Sequence, residues 1–241
     1  MAYRSPSGFS FGIQLSPAVK MIMLWNGILF LLQQIVGATL TYYLGLVPGL
    51  VAKGFLWQPV TYMFLHGGFV HLLFNMFALW MFGSELEYLW GTRRWVRYYF
   101  ITGIGAGVTT LIATWVAYAL KIGNPLMMGI PTVGASGAIY GLLLAFGLTF
   151  PNRRIYLYFL FPIPARLFVL IFGAIEFISS FQFASDGIAH FAHLGGMLIG
   201  YILLRGWPGQ GLLRSWERRR RSRRFRIVEP DDQERRKGNR P

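Results

Sequence analysis

Residues 131–151 read PTVGASGAIYGLLLAFGLTFP. The stretch carries no charge, and Pro131 and Pro151 bracket it. A membrane helix needs about 20 mainly apolar residues, so the run from Ser136 to Phe150 is short for one. It still reads as a span, because the prolines close it and nothing polar enough to stop it lies between. A helix that begins at Ser136, below a membrane surface, leaves room above it for water. Five other apolar runs flank it: Met21 to Leu44, Val70 to Trp90, Trp95 to Leu120, Leu167 to Phe181 and Ile188 to Leu204. The expected fold is therefore all-α, a polytopic membrane protein with six transmembrane helices. Residues 1–20 are expected as an N-terminal segment, 21–205 as the six-span domain and 206–241 as a basic tail.

Charge tests this count. Lys and Arg gather on the cytoplasmic side of membrane proteins. With six alternating spans, one side receives Arg4, Lys20, Arg93, Arg94, Arg97, Arg153, Arg154, Arg166 and the tail, while the other receives Lys53 and Lys121. Both termini are thus expected in the cytoplasm, and a miscount by one span would destroy the alternation. The first run is long enough to span and no small-residue cleavage site follows it, so it is not read as a signal peptide. Composition agrees: 54% of the 241 residues are hydrophobic and 13% charged, against about 25% charged in soluble domains. The absence of cysteine removes disulfides, thiol catalysis and Cys-ligated metals. The net charge of +14 is concentrated in the tail, which suits anionic lipid beside a membrane and not nucleic acid; topology alone explains it equally well. No cofactor and no metal are expected.

Spans two, four and six run in the same direction, so their first residues share one depth. His66, His71 and Asn75 lie at the start of span two, Ser136 at the start of span four, and His190 and His193 at the start of span six. All four histidines of the chain thus fall in one layer, beside a serine set in Gly134-Ala135-Ser136-Gly137. Polar groups at membrane depth are costly and mark an interior or watery site. Gly137 with Gly141, and Gly196 with Gly200, form small-xxx-small pairs that let two helix backbones approach. His193 shares a helix face with Gly196 and Gly200, so packing through the glycines would bring Ser136 and His193 together. A serine becomes a nucleophile when an adjacent base takes its proton. His71 and Asn75, four apart on one face, and the Ser136 backbone N–H at a helix start are candidate donors to an oxyanion. No acid is obviously placed to orient His193. Asp186 is too far along the helix, and Glu176, toward the outer end of span five, has no evident partner. A Ser136–His193 dyad is the simplest reading, with Tyr140, one turn after Ser136, able to pack on the imidazole.

These residues resemble the rhomboid family of intramembrane serine proteases over roughly 20–205. The resemblance rests on Gly134-Ala135-Ser136-Gly137, on Ala192-His193-Leu194-Gly195-Gly196-Met197-Leu198-Ile199-Gly200, on His66-x4-His71-x3-Asn75 and, more weakly, on Glu87-Tyr88-Leu89-Trp90-Gly91. It implies Ser136 as nucleophile, His193 as base, and His71, Asn75 and the Ser136 amide as the oxyanion site. His190 does not fit the base position, because the motif would then require glycine where His193 stands; it lines the cavity or bonds a loop. The first outer loop departs from the family, with Trp57-Gln58 where Trp-Arg is frequent, which leaves its anchoring open. The resemblance implies a six-span bacterial type in the inner membrane, cutting transmembrane protein substrates near their outer end, with a gate beside span five and a moving loop over Phe181–Gly187. Two other readings remain: a catalytically inactive rhomboid-like protein that binds clients, and a histidine-lined transporter.

Overall fold

A computed structural model describes residues 14–122, 124–157, 161–180 and 187–206. The chain is mainly helical. Helix α1 (Pro17–Val36) begins with proline in its first turn, where a missing N–H costs nothing, and stops at Gly37, which turns at φ 74 into α2 (Ala38–Leu44). The single first span read from the sequence is therefore broken near its far end. Short helices α3 (Pro48–Val51) and α4 (Gln58–Thr61) belong to the loop that follows. Helix α5 (Phe69–Ala78) continues through a π-helical turn, Leu79–Gly83, into α6 (Ser84–Trp90). After a turn at Gly91, with φ 81, comes α7 (Thr92–Ala119), about 42 Å long at 1.5 Å per residue. Helix α8 (Ser136–Thr149) starts and ends within a residue of the expected bounds.

Between the fourth and fifth expected spans, β1 (Arg154–Leu157) and β2 (Phe161–Pro164) pair as antiparallel strands, with Ile155 opposite Ile163. Helices α9 (Ala165–Ser179) and α10 (Gly187–Gly206) complete the order. Of the loop expected to move, Phe181–Gly187, residues 181–186 lie outside the described residues, as does nearly all of the basic tail.

Helix α8 is the axis of the fold. Ten of its 14 residues are buried, around its whole circumference, as expected of a helix enclosed by others. Its glycines set the spacing. A Cβ on Gly137 would strike Ala106 of α7, and one on Gly141 would lie 2.9 Å from Thr102 of α7 and 3.1 Å from the Gly196 carbonyl of α10. A Cβ on Gly196 would overlap the Gly137 carbonyl, and one on Gly200 would meet Gly141 Cα at 3.3 Å. The two small-xxx-small pairs thus face each other, and α10 lies backbone to backbone on α8.

Two sets of contacts define the ends of the bundle. At one end Glu87 of α6 accepts hydrogen bonds from Ser16 Oγ (2.5 Å), from the Ala18 and Val19 amides of α1 (3.0–3.1 Å) and from Thr92 Oγ1 of α7 (2.7 Å). Arg153, after α8, pairs with Glu85 at 3.0 Å on the same end. At the other end, Leu46 and Thr132 form a two-way backbone bridge. There Gln58 is fully buried. Its Oε1 accepts from the Val47 amide (2.9 Å) and its Nε2 donates to the Tyr42 and Tyr43 carbonyls (3.2 Å each), while Trp57 Nε1 donates to Tyr43 (3.0 Å). A neutral amide therefore stitches the loop between α2 and α5 together, which answers the question left by Trp57-Gln58.

The outward faces are apolar. Met21, Leu24, Trp25, Ile28, Leu31 and Ile35 of α1, and Leu170, Ile175 and Ile178 of α9, are exposed. So large an uncovered apolar surface suits lipid and not water. Among the described residues, three helical segments, Pro17–Val36, Phe69–Trp90 and Thr92–Ala119, are long and apolar enough to cross a bilayer, and Ser136–Thr149 is a shorter apolar helix.

Candidate active site

The site forms at the first turn of α8. Gly134 precedes it with φ +133, a conformation L side chains rarely adopt. Its N–H donates to the Tyr62 carbonyl at 3.0 Å, and the Tyr62 hydroxyl donates to the Gly103 carbonyl of α7 at 2.6 Å. The turn is thus anchored to the body of the fold, and Ser136 emerges as the first residue of the helix. Its amide, like the others in a first helical turn, has no acceptor within the helix.

Ser136 Oγ lies 2.7 Å from His193 Nε2 of α10. The approach follows from the interlocked glycines: His193 stands three residues before Gly196, over the place where α10 touches α8. Tyr140 stacks on the His193 imidazole with ring centroids 4.3 Å apart and planes 14° from parallel, which fixes the ring plane.

The opposite edge of that imidazole meets Glu176. Glu176 Oε2 is 2.9 Å from His193 Nδ1, a close polar contact short of in-line hydrogen-bond geometry, and 2.5 Å from His190 Nδ1. The Tyr140 hydroxyl donates a short hydrogen bond to Glu176 Oε1. Glu176 is buried. Its one carboxylate therefore takes in three neighbours from α8 and α10. Because a carboxylate only accepts, the nitrogen facing it carries the ring proton. That leaves Nε2 of His193 as an acceptor, and the Ser136 hydroxyl donates to it. Sequence reasoning missed this partner. The signal was present, since Glu176 is the one acid inside an otherwise apolar run, and a lone intramembrane acid demands a partner. What the sequence did not give was the rotation of α9 that turns Glu176 inward. His190, expected to line a cavity or bond a loop, instead bonds this carboxylate.

On the other side of Ser136 stands His71 of α5. A Cβ on Gly134 would be 3.0 Å from His71 Nε2 and Cε1 and 3.5 Å from Ser136 Oγ, so the imidazole edge lies against the turn that presents the serine. The Gly67 N–H points at His71 Nδ1 at 3.4 Å, which leaves the Nε2 proton directed at this turn. Asn75 is buried, and its Nδ2 donates to the His71 carbonyl at 2.9 Å. One of its two amide protons is thus used within α5. His66 is buried behind His71, ring centroids 5.0 Å apart. Gln33 fixes its backbone, accepting from the His66 N–H at 2.9 Å. Burial first, and the adjacent His71 second, push its imidazole down to about 3, so His66 is a neutral wedge behind His71.

The Rhomboid domain family model matches residues 53–207, well over half the chain. The chain belongs to the rhomboid family. Among its relatives, it is 33% identical over 154 residues to "Rhomboid protease GluP" of Bacillus subtilis, covering 64% of this chain and 26% of that protein. It is 34% identical over 151 residues to "Rhomboid protein 1, mitochondrial" of Saccharomyces cerevisiae, covering 60% of this chain and 39% of that protein. It is 30% identical over 196 residues to "Putative rhomboid protease YdcA" of B. subtilis, covering 79% of this chain and 88% of that protein. The chain spans well under half the length of the first two and most of the third. As a rhomboid with apolar helices of spanning length, it is a multi-pass integral membrane protein.

Proposed function

We propose that this rhomboid is an intramembrane serine endopeptidase, with Ser136 as nucleophile and His193 as base. The contact of Ser136 Oγ with His193 Nε2 at 2.7 Å carries this reading. His193 takes the Ser136 proton as Oγ attacks a peptide carbonyl, then returns it to the leaving amine. His71 Nε2–H, the free Asn75 amide proton and the Ser136 backbone N–H stabilise the oxyanion. Tyr140 and Glu176 hold the imidazole in plane and in the acceptor tautomer, so the dyad works as a Ser136–His193–Glu176 array.

The substrates are transmembrane segments cut near their outer end, where small or helix-breaking residues let the backbone unwind. Six spans with both termini cytoplasmic fit the two ends of the bundle. The start of α1, the α6–α7 junction and the segment after α8 meet at Glu87 and Glu85, while Ser136 lies at the far end. Residues 21–205 would then be the working domain in a bacterial inner membrane, and 206–241 a cytoplasmic tail beside anionic lipid.

The test is labelling of the purified chain with a serine-directed fluorophosphonate, together with cleavage of a model transmembrane substrate in liposomes. Labelling at Ser136, lost in His193→Ala, and cleavage at the outer end support the reading. A folded chain that binds the substrate, resists the probe and never cuts is the inactive client-binding rhomboid instead.

A further inference from the structure

The active-site imidazole is edged by a second group of ligand atoms. Glu176, His190 and His193 each offer a ligand atom, and these atoms lie within 4.8 Å of one another; Nδ1 of each histidine faces Glu176 Oε2. The histidines are three apart on α10, on one helix face, and the carboxylate comes from α9. Two imidazoles and one carboxylate are a donor set that zinc accepts readily, at about 2.0–2.2 Å from each atom. Three such ligands in a tetrahedron stand about 3.3 Å apart at those bond lengths. The observed separations of 2.5 and 2.9 Å to the carboxylate therefore need to open by about 0.8 and 0.4 Å, and the two imidazole nitrogens to close by up to about 1.5 Å. The supporting contacts of a metal site are also in place. Tyr140 holds Oε1 of Glu176, which leaves Oε2 for the imidazoles, and Ser136 holds the far nitrogen of His193. Such outer partners orient ligands in metal sites. The side chains of His190 and His193 remain 25% and 17% exposed, so an ion has a route in, and a water can complete the coordination.

We propose that Glu176, His190 and His193 form an inhibitory binding site for a divalent transition-metal ion of the zinc class, which switches off the base proposed above. The chemistry balances simply. The ion bonds the Nδ1 lone pair of His193, and the ring keeps its single proton, which moves from Nδ1 to Nε2. Nε2 then donates to Ser136 Oγ and no longer accepts from it. The serine keeps its proton and the nucleophile is not formed. His190 undergoes the same change of tautomer, and the Glu176 charge offsets half the charge of the ion. Magnesium and calcium, which prefer oxygen ligands, would not bind.

The inference rests on the protease reading for its consequence, but binding is tested without it. The full chain, purified without a histidine tag, is titrated with Co2+ and followed by its visible absorption, both as wild type and as Ser136→Ala. One ion per chain is expected in both, absent in His190→Ala and Glu176→Gln. His190→Gln replaces His190→Ala where the latter is not monodisperse. Cleavage in liposomes is then measured with a chelator and with micromolar Zn2+. More than tenfold loss, restored by the chelator, is expected for wild type. For the His190 variant the rate, whatever its own level, should change less than twofold on adding Zn2+.

Failure of Co2+ to bind overturns the site, as does equal binding by the His190 variants, which would place the ion elsewhere. Stoichiometric binding with undiminished cleavage overturns the inhibition. Cleavage in chelator without any Co2+ binding sinks the metal proposal and leaves the protease. Co2+ binding by a chain that never cleaves upholds the metal site and sinks the protease.

Discussion

Two buried carboxylates occupy opposite ends of the bundle and are satisfied by different kinds of partner. Glu87 collects two backbone amides at the start of α1 and two hydroxyls, from Ser16 and Thr92. An anion at a helix N-terminus is favourable, and none of these donors has another task. Glu176 collects two imidazoles and a phenol, and one of those imidazoles also contacts a serine. The first carboxylate closes a joint between helices. The second sets the proton position on a ring whose other nitrogen contacts Ser136. An acid in an apolar chain can thus be structural or chemical, and the identity of its donors separates the two cases.

The comparison breaks most visibly at the reacting pair. Ser136→Ala and His193→Ala should each lower cleavage by at least about 10^4-fold, and the double variant should be no worse than either, because the two act as a unit. Additive losses in the double variant would mean that the residues act independently.

Glu176→Gln should come next. The neutral amide still fills the space, but its N–H2 can face His193 Nδ1 and favour the wrong tautomer. Cleavage should fall by about 10^2–10^3-fold with little change in thermal unfolding; a triad aspartate changed to its amide in a soluble protease loses more. Glu87→Gln should invert that pattern. It removes the charge from several hydrogen bonds, each worth about 1.5–3 kcal/mol when charged, so the unfolding temperature in micelles should drop while the folded fraction cleaves at the normal rate. If Glu87→Gln damages turnover and Glu176→Gln damages only stability, the contrast is reversed.

The two ends also differ in how much of them could be read from sequence. The helical runs, the interlocking glycines and the meeting of Ser136 with His193 follow from spacing, because helix periodicity converts residue numbers directly into faces. The paired strands after α8 did not announce themselves, because Pro162 and Pro164 interrupt the second one, although an edge strand tolerates proline. Gln58 in place of a charged residue looked like a lost anchor, yet its amide both donates and accepts and so closes three backbone groups at once. Glu176 escaped for a different reason. Spacing along α9 places it at the right depth, but only tertiary packing chooses which neighbours it faces.

Asn75→Ala should have a smaller effect than Glu176→Gln, about 10- to 100-fold on cleavage. Removing an oxyanion donor costs about 2.7–4 kcal/mol in a soluble protease. Here His71 and the Ser136 amide remain, and one Asn75 proton is already held by the His71 carbonyl. Unchanged cleavage in both Asn75→Ala and His71→Ala would assign those side chains to packing and leave the Ser136 amide as the sole donor.

The smallest effect is expected from Arg153→Ala, at the same end as Glu87. Arg153 pairs with Glu85 at 3.0 Å, but its side chain is 52% exposed. Exposed pairs contribute about 0.2–1 kcal/mol, because water screens the attraction and ordering two long side chains opposes it. The guanidinium also lies over the Phe150 ring, 5.4 Å from its centroid, which adds about 0.5–1 kcal/mol at an exposed site. Loss of both should lower stability by less than about 2 kcal/mol, below the loss in Glu87→Gln, with no change in cleavage by the folded protein. If Arg153→Ala equals or exceeds Glu87→Gln in micelles, the exposed pair and not the buried carboxylate holds that end together. Adding salt separates the cases further, since screening weakens the exposed pair and leaves the buried Glu87 contacts largely untouched.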